Sequence, residues 1–172
     1  MRFEYSHELD APLDAVERAF TARELSGLLC ARLPGLASVD LVAHGTADGV
    51  VTRVWRFRTR DSLPVLRSLH IDPDRMVWDE HCSYHLAQHR ADWRLVPRPD
   101  APSDAPWRAR FSSQGTYLLT AVGERRTRLT VLGSFALRLA LLGRALDRLA
   151  ARELRKVYGA EADALRTLCN ST

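Results

Sequence analysis

The feature that most constrains this chain is a change of period. In run after run between residues 36 and 137, apolar side chains fall at every second position, and the sequence then switches to a single long helical repeat. Val39, Leu41 and Ala43 alternate up to a turn at Gly45–Gly49, and Val51 to Arg58 returns as the second arm of a hairpin. Met76, Trp78, Glu80, Cys82, Tyr84 and Leu86 form one row, continued around Trp93 and Leu95. Trp107 to Leu119 forms a long strand, and Leu129, Val131, Gly133 and Phe135 return after a turn at Gly123-Glu124. From about Leu139 to Leu168 the spacing is helical. A meander of hairpins has one face to cover, and a helix of about 28 residues, about 42 Å long, can cover it.

The first 35 residues supply the remaining elements. Phe3, Tyr5, His7 and Leu9 alternate with Glu4, Ser6 and Glu8 as a strand with one wet face. Pro12 suits the first turn of a helix carrying Leu13, Val16, Ala19 and Phe20, and a second short helix carries Leu25, Leu28, Leu29 and Leu33. Asp61 to Asp74 reads as a connection with a helical turn near Val65–Leu69, and Pro97 to Pro106 as a mobile loop. The expected fold is α+β: one domain over residues 1–172, a curved antiparallel sheet of six or seven strands wrapped round a long C-terminal helix, with two short helices after the first strand.

Composition excludes several classes. With 172 residues, 46% hydrophobic and 27% charged, the chain is neither a disordered tail nor a fibre. The most apolar stretch, Leu129–Leu146, is interrupted by Arg138 and Arg144, too soon for a membrane span. Three widely spaced cysteines (Cys30, Cys82, Cys169) and an opening without a secretory leader point to a reduced, cytoplasmic setting. The net charge of +4 comes from arginines interspersed with acids, and the aromatics face inward, which argues against nucleic acid.

The opening Phe3-x-Tyr5, then Ala11-Pro12 leading into Val16-x-x-Ala19-Phe20, resembles the START-like, SRPBCC (helix-grip) superfamily. The close, from Gly133-Ser-Phe-Ala-Leu through Leu141-Leu142-Gly143-Arg144 into the long helix, is similar to a bacterial branch of unknown function. The resemblance implies an apolar cavity between sheet and helix that takes lipids, polyketides or other hydrophobic molecules. It equally allows cyclase enzymes and co-chaperones that act through their surface.

Alternation assigns side chains to faces, so polar intruders in the inward rows can be picked out. They are His7, Arg53, Glu80 and Ser113, and on the last helix Glu153 falls inside the stripe Leu142, Leu146, Leu149, Val157, Ala160, Ala164, Leu168, with Glu161 near it. A polar group facing an apolar core costs a few kcal/mol unless it is bonded. A pocket with polar groups that orient a ligand explains them, with Trp55, Trp78, Tyr84 and Tyr117 as its walls. A filled core in which Arg53 pairs with Glu80 or Glu153 explains them too. The expected function is therefore binding, and conceivably transport, of a hydrophobic or lipid-like small molecule, without cofactor, metal or catalytic residue. Two alternatives remain: a polyketide cyclase- or dehydratase-like enzyme using His7 with Glu80 or Glu153, and a filled-core interaction domain. The arginine-rich outer face of the last helix also suits transient contact with an anionic membrane.

His81, His85 and His89 are spaced four apart and would share a zinc-binding face on a helix. On a strand His81 and His85 stand about 13 Å apart and cannot share an ion. The alternation of residues 76–86 favours the strand.

Overall fold

The computed structural model describes residues 1–60, 77–97, 111–137 and 143–171. Seven strands form one antiparallel sheet: β1 (Arg2–Leu9), β2 (Leu36–Ala47), β3 (Val50–Thr59), β4 (Val77–His85), β5 (Arg90–Pro97), β6 (Phe111–Gly123) and β7 (Arg126–Leu137). Their order across the sheet is β1-β7-β6-β5-β4-β3-β2. The described residues also form three α-helices: α1 (Leu13–Thr21), α2 (Leu25–Arg32) and the 28-residue α3 (Gly143–Asn170). The expected connection at 61–74, the loop at 97–106 and the strand start at Trp107 lie largely outside the described residues, as do Leu142 and the side chains of Leu146 and Leu149.

β1 and β2 are the two edges, although only α1 and α2 separate them in sequence. The amides of Ala15 and Val16 both donate to the Pro12 carbonyl at 3.1 Å, so the helix starts where proline fixes the backbone. Register irregularities at Leu36/Ser38 and Leu41/Ala43 bend the β2 edge. The β2–β3 turn is tighter than the spacing of Gly45 and Gly49 implies. β2 runs on to Ala47, and Asp48 (φ 49°) and Gly49 (φ 73°) alone make the turn, the left-handed pair that a two-residue hairpin requires.

A second device lies in the middle of the sheet. Gly115 of β6 stands directly opposite Gly133 of β7. A Cβ at Gly115 would collide with the Leu132 carbonyl and lie 2.7 Å from the Trp93 ring, and one at Gly133 would collide with the Phe3 ring. The missing side chains let two aromatic rings lie flat on the inner face where the sheet wraps α3.

α3 crosses that face and is tied down along its length. Tyr5 Oη donates to the Ala151 carbonyl at 2.9 Å, Arg166 to the Glu8 carbonyl at 2.9 Å, and Arg32 to Thr167 Oγ1 at 2.6 Å. Its buried side chains are Ala150, Tyr158, Glu161, Ala162, Ala164 and Leu165. At about 100° per residue this stripe is turned by roughly a quarter turn from the one centred on Val157, Ala160 and Ala164. No helix among the described residues is long and apolar enough to cross a membrane.

Candidate functional site

On β3 the inward row is Val51, Arg53, Trp55, Phe57 and Thr59, all buried. Antiparallel register sets Arg53 opposite Cys82, Trp55 opposite Glu80 and Phe57 opposite Trp78 on β4. Tyr117 and Ser113 face the same interior from β6, and Tyr158 and Glu161 close it from α3. Four ionisable or polar groups thus share an otherwise apolar, strongly aromatic space: Arg53, Glu80, Glu161 and Tyr117.

Arg53 is its centre. The guanidinium is 4% exposed; its Nη1 donates to the Phe20 carbonyl at 2.5 Å. Its carbon lies 3.7 Å from the centroid of the Trp55 ring and 4.5 Å from that of Phe20, which fits cation–π contact on both. Nη2 is 3.8 Å from Glu80 Oε1 and 3.9 Å from Glu161 Oε1. Those separations give Coulombic attraction but exceed hydrogen-bond length. Glu161 Oε2 accepts a hydrogen bond from Tyr117 Oη at 3.1 Å.

Burial and crowding set the protonation states. Burial and then the neighbouring Glu80 charge push the Glu161 carboxyl up to about 7, against the pull of Arg53 and the Tyr117 hydrogen bond. Glu80 is raised by burial and held back by Arg53. The Cys82 thiol is pushed up to about 12, chiefly by burial, which leaves it a small core residue rather than a nucleophile. Several buried polar atoms here have no hydrogen-bond partner among the described residues: Arg53 Nε and Nη2, Glu80 Oε1, Glu161 Oε1, Ser113 Oγ, and the indole nitrogens of Trp55 and Trp93.

Of the residues singled out from sequence, Arg53, Trp55, Glu80, Tyr84, Ser113 and Tyr117 are buried on the inner face. Trp78 is half-buried and stacks on Phe57 at 5.5 Å. His7 faces inward on β1, and its Nε2 is buried without a partner. Burial, followed by the Arg166 charge, lowers its pKa, with Asp163 acting against both. Its charged neighbours therefore belong to the C-terminal part of α3. Glu153 is corrected: it bonds Lys156 at 2.7 Å with 29% of its side chain exposed. The carboxylate that α3 presents to Arg53 is Glu161, and the quarter-turn offset of the stripe is the reason.

The histidine series resolves as strand. His81 and His85 lie on β4, and His89 follows a 3-10 turn at Leu86–Gln88 in a left-handed conformation, φ 49°. Its Nδ1 is 3.0 Å from Glu17 Oε1, the same oxygen to which Tyr84 Oη donates at 2.7 Å. Glu17 was not legible as a partner, because it sits on the polar side of α1 and meets β4 only through the fold.

Residues 4–169 match the model of a family described as "Protein of unknown function (DUF2505)". No curated protein matches the chain. Among solved structures, the Zhui aromatase/cyclase from Streptomyces sp. R1128 is 15% identical with a TM-score of 0.65, covering 99% of this chain and 93% of that one. A START superfamily protein from Mycobacterium smegmatis is 15% identical with a TM-score of 0.62, covering 97% and 98%. Norcoclaurine synthase from Thalictrum flavum is 13% identical with a TM-score of 0.61, covering 98% and 85%. At these identities the likeness is one of fold, the START-like helix grip.

Proposed function

Since the chain belongs to the DUF2505 family and has the START-like fold, we propose that it binds a hydrophobic small molecule bearing a few polar groups, held between sheet and α3. One observation carries this reading: Arg53 is buried against two carboxylates that it does not touch, among polar atoms left without partners. Each buried polar atom left unsatisfied costs about 1–3 kcal/mol. A ligand's hydroxyl or carbonyl groups between Arg53, Glu80, Glu161 and Ser113 would satisfy several at once. Trp55, Trp93, Tyr117 and Tyr158 would supply apolar contact to its body.

A catalytic reading has a separate observation in its favour. Glu161 titrates near neutrality, which suits a group that gives and takes protons, and Tyr117 already hydrogen-bonds it. A cyclase- or dehydratase-like role would then rest on Glu161 and Tyr117 with Arg53 steadying negative charge on a substrate oxygen, rather than on the pairing of His7 with Glu80 or Glu153. Binding is the reading we adopt, because every observation that supports catalysis also supports it.

Native mass spectrometry of the purified protein, with organic extraction of whatever dissociates, tests the proposal. A hydrophobic molecule bound near one to one, with occupancy reduced in Arg53→Met, is the expected result. A clean unliganded mass from several expression hosts would sink it and favour the filled-core interaction domain. If Glu161→Gln retains the molecule but stops its conversion, the catalytic reading takes precedence. The exposed Arg148, Arg152 and Arg155 of α3 further support delivery at an anionic membrane within a cytoplasmic setting.

A further inference from the structure

The sheet also has an outer face, on the side away from α3, and part of it is recessed. One cross-strand row runs over it: His81 pairs with Arg94, Arg94 with Gln114, Gln114 with Ser134, and Ser134 with Arg2. The next row is Thr52, Ser83, Asp92, Thr116 and Leu132, in register across β3 to β7. Together these two rows line a trough of about 750 Å³.

Its charges are unevenly matched. Asp92, the acid in the trough, already accepts from Arg90 at 2.8 Å and from Thr116 at 2.9 Å. Asp79, one row away, is engaged bidentately by Arg56 at 2.8 and 2.9 Å. Arg94 and Arg2 are exposed and form no ion pair among the described residues, although Glu4 lies two positions from Arg2 on the same face. The row therefore carries two guanidiniums without an ion pair among the described residues, Arg94 beside His81 and Arg2 on the edge strand, with the amide of Gln114 and the hydroxyl of Ser134 between them. Guanidinium matches phosphate oxygens in shape as well as charge. The volume falls within the range of about 300–1,000 Å³ typical of small-molecule sites, far more than a bare phosphate needs.

We infer that this outer trough binds a phosphorylated small molecule of nucleotide or sugar-phosphate size. Arg94 and Arg2 take its phosphate oxygens. Gln114, Ser134 and Ser83 meet its hydroxyl groups, and Val54 and Leu132 give it a small apolar floor. The sheet itself separates the trough from the interior, so the inference stands or falls independently of what α3 covers.

The test is a titration of 15N-labelled full-length protein with inorganic pyrophosphate and, separately, with ADP, followed by amide shifts. Saturable shifts confined to residues 81–83, 92–94, 114–116 and 132–134 are expected. Arg94→Gln and Arg2→Gln should each weaken binding by about tenfold, the loss of one charge-assisted pair. Arg23→Gln, at an exposed arginine between α1 and α2 outside the trough, should leave it unchanged. All three positions are exposed, and unchanged spectra outside the trough would show that the variants fold. Overturning results are the absence of saturable shifts with either probe, shifts that persist in the Arg94→Gln/Arg2→Gln double variant, or equal weakening by Arg23→Gln.

Discussion

Arg53 carries one positive charge among groups that water cannot reach, and its removal should be felt through the carboxylates it faces. Arg53→Met replaces the stem but leaves Glu80 and Glu161 buried without their cation. A loss of about 3–5 kcal/mol is expected at pH 8, measured by urea unfolding. The loss should shrink at pH 5, where the Glu161 carboxyl, raised to about 7, holds its proton. A variant equally destabilised at both pH values would show that packing, not charge, holds Arg53 in place.

Glu161 makes a prediction of its own. Its carboxyl titrates near 7 when folded and at 4.5 ordinarily, so the folded chain holds that proton more tightly than the unfolded one does. The stabilisation is complete below pH 4.5, declines as pH rises and is gone above about 7, a change of about 3 kcal/mol. Glu161→Gln cannot titrate. The stability difference between wild type and variant should therefore drift by that amount across the window, and a difference constant with pH would refute the raised carboxyl.

At the level of elements, the glycines divide into two kinds. Gly115 faces Gly133 across the β6–β7 ladder under the rings of Trp93 and Phe3, with no room for a methyl group. Gly115→Ala should cost about 1–3 kcal/mol or more through overpacking. Gly159 lies inside α3 with nothing within 4 Å of a built Cβ. Gly159→Ala should stabilise by about 0.5–1 kcal/mol, since alanine is the better helix former and no neighbour objects. Thermal melting of both variants checks the contrast, and a stable Gly115→Ala would mean the sheet does not need its close approach there.

The same elements show what could be read in advance. Strand faces were legible because a period of two is unambiguous: once Trp55 and Phe57 point inward, Arg53 must follow, and Glu80 follows Cys82 and Tyr84 in the same way. The helix face was less so. Ala160 belongs to one stripe, Ala162 to another a quarter turn away, and Ala164 to both, and that ambiguity exchanged Glu153 for Glu161. Contacts between distant segments left no local trace at all: Phe20 gives Arg53 a backbone carbonyl, and Glu17 joins Tyr84 to His89, only because the fold brings α1 beside these side chains.

Over the whole molecule, ligand occupancy and stability must be linked. A molecule bound only by the folded state at 100 times its dissociation constant adds about 2.7 kcal/mol. If the interior is a binding site, protein stripped by organic extraction and refolded should melt below the freshly purified form, and adding back the extract should restore the difference. Identical melting of the two preparations would count against a resident ligand.

The order of the sheet also has a consequence in time. β1 pairs with β7, and the Thr127 hydroxyl that reaches the Ala11 carbonyl lies 116 residues further along the chain. At about 5–20 residues per second, a ribosome needs roughly ten seconds to make that stretch. Throughout that interval β1, with Phe3 and Tyr5 on its apolar face, has emerged without its neighbour. The hairpins β2–β3, β4–β5 and β6–β7 can form as they appear, but the grip closes only once β7 has emerged. A newborn chain of this kind offers one unpaired, aromatic strand to its surroundings until β7 arrives, which makes that strand the natural handle for a chaperone and the natural seed for aggregation.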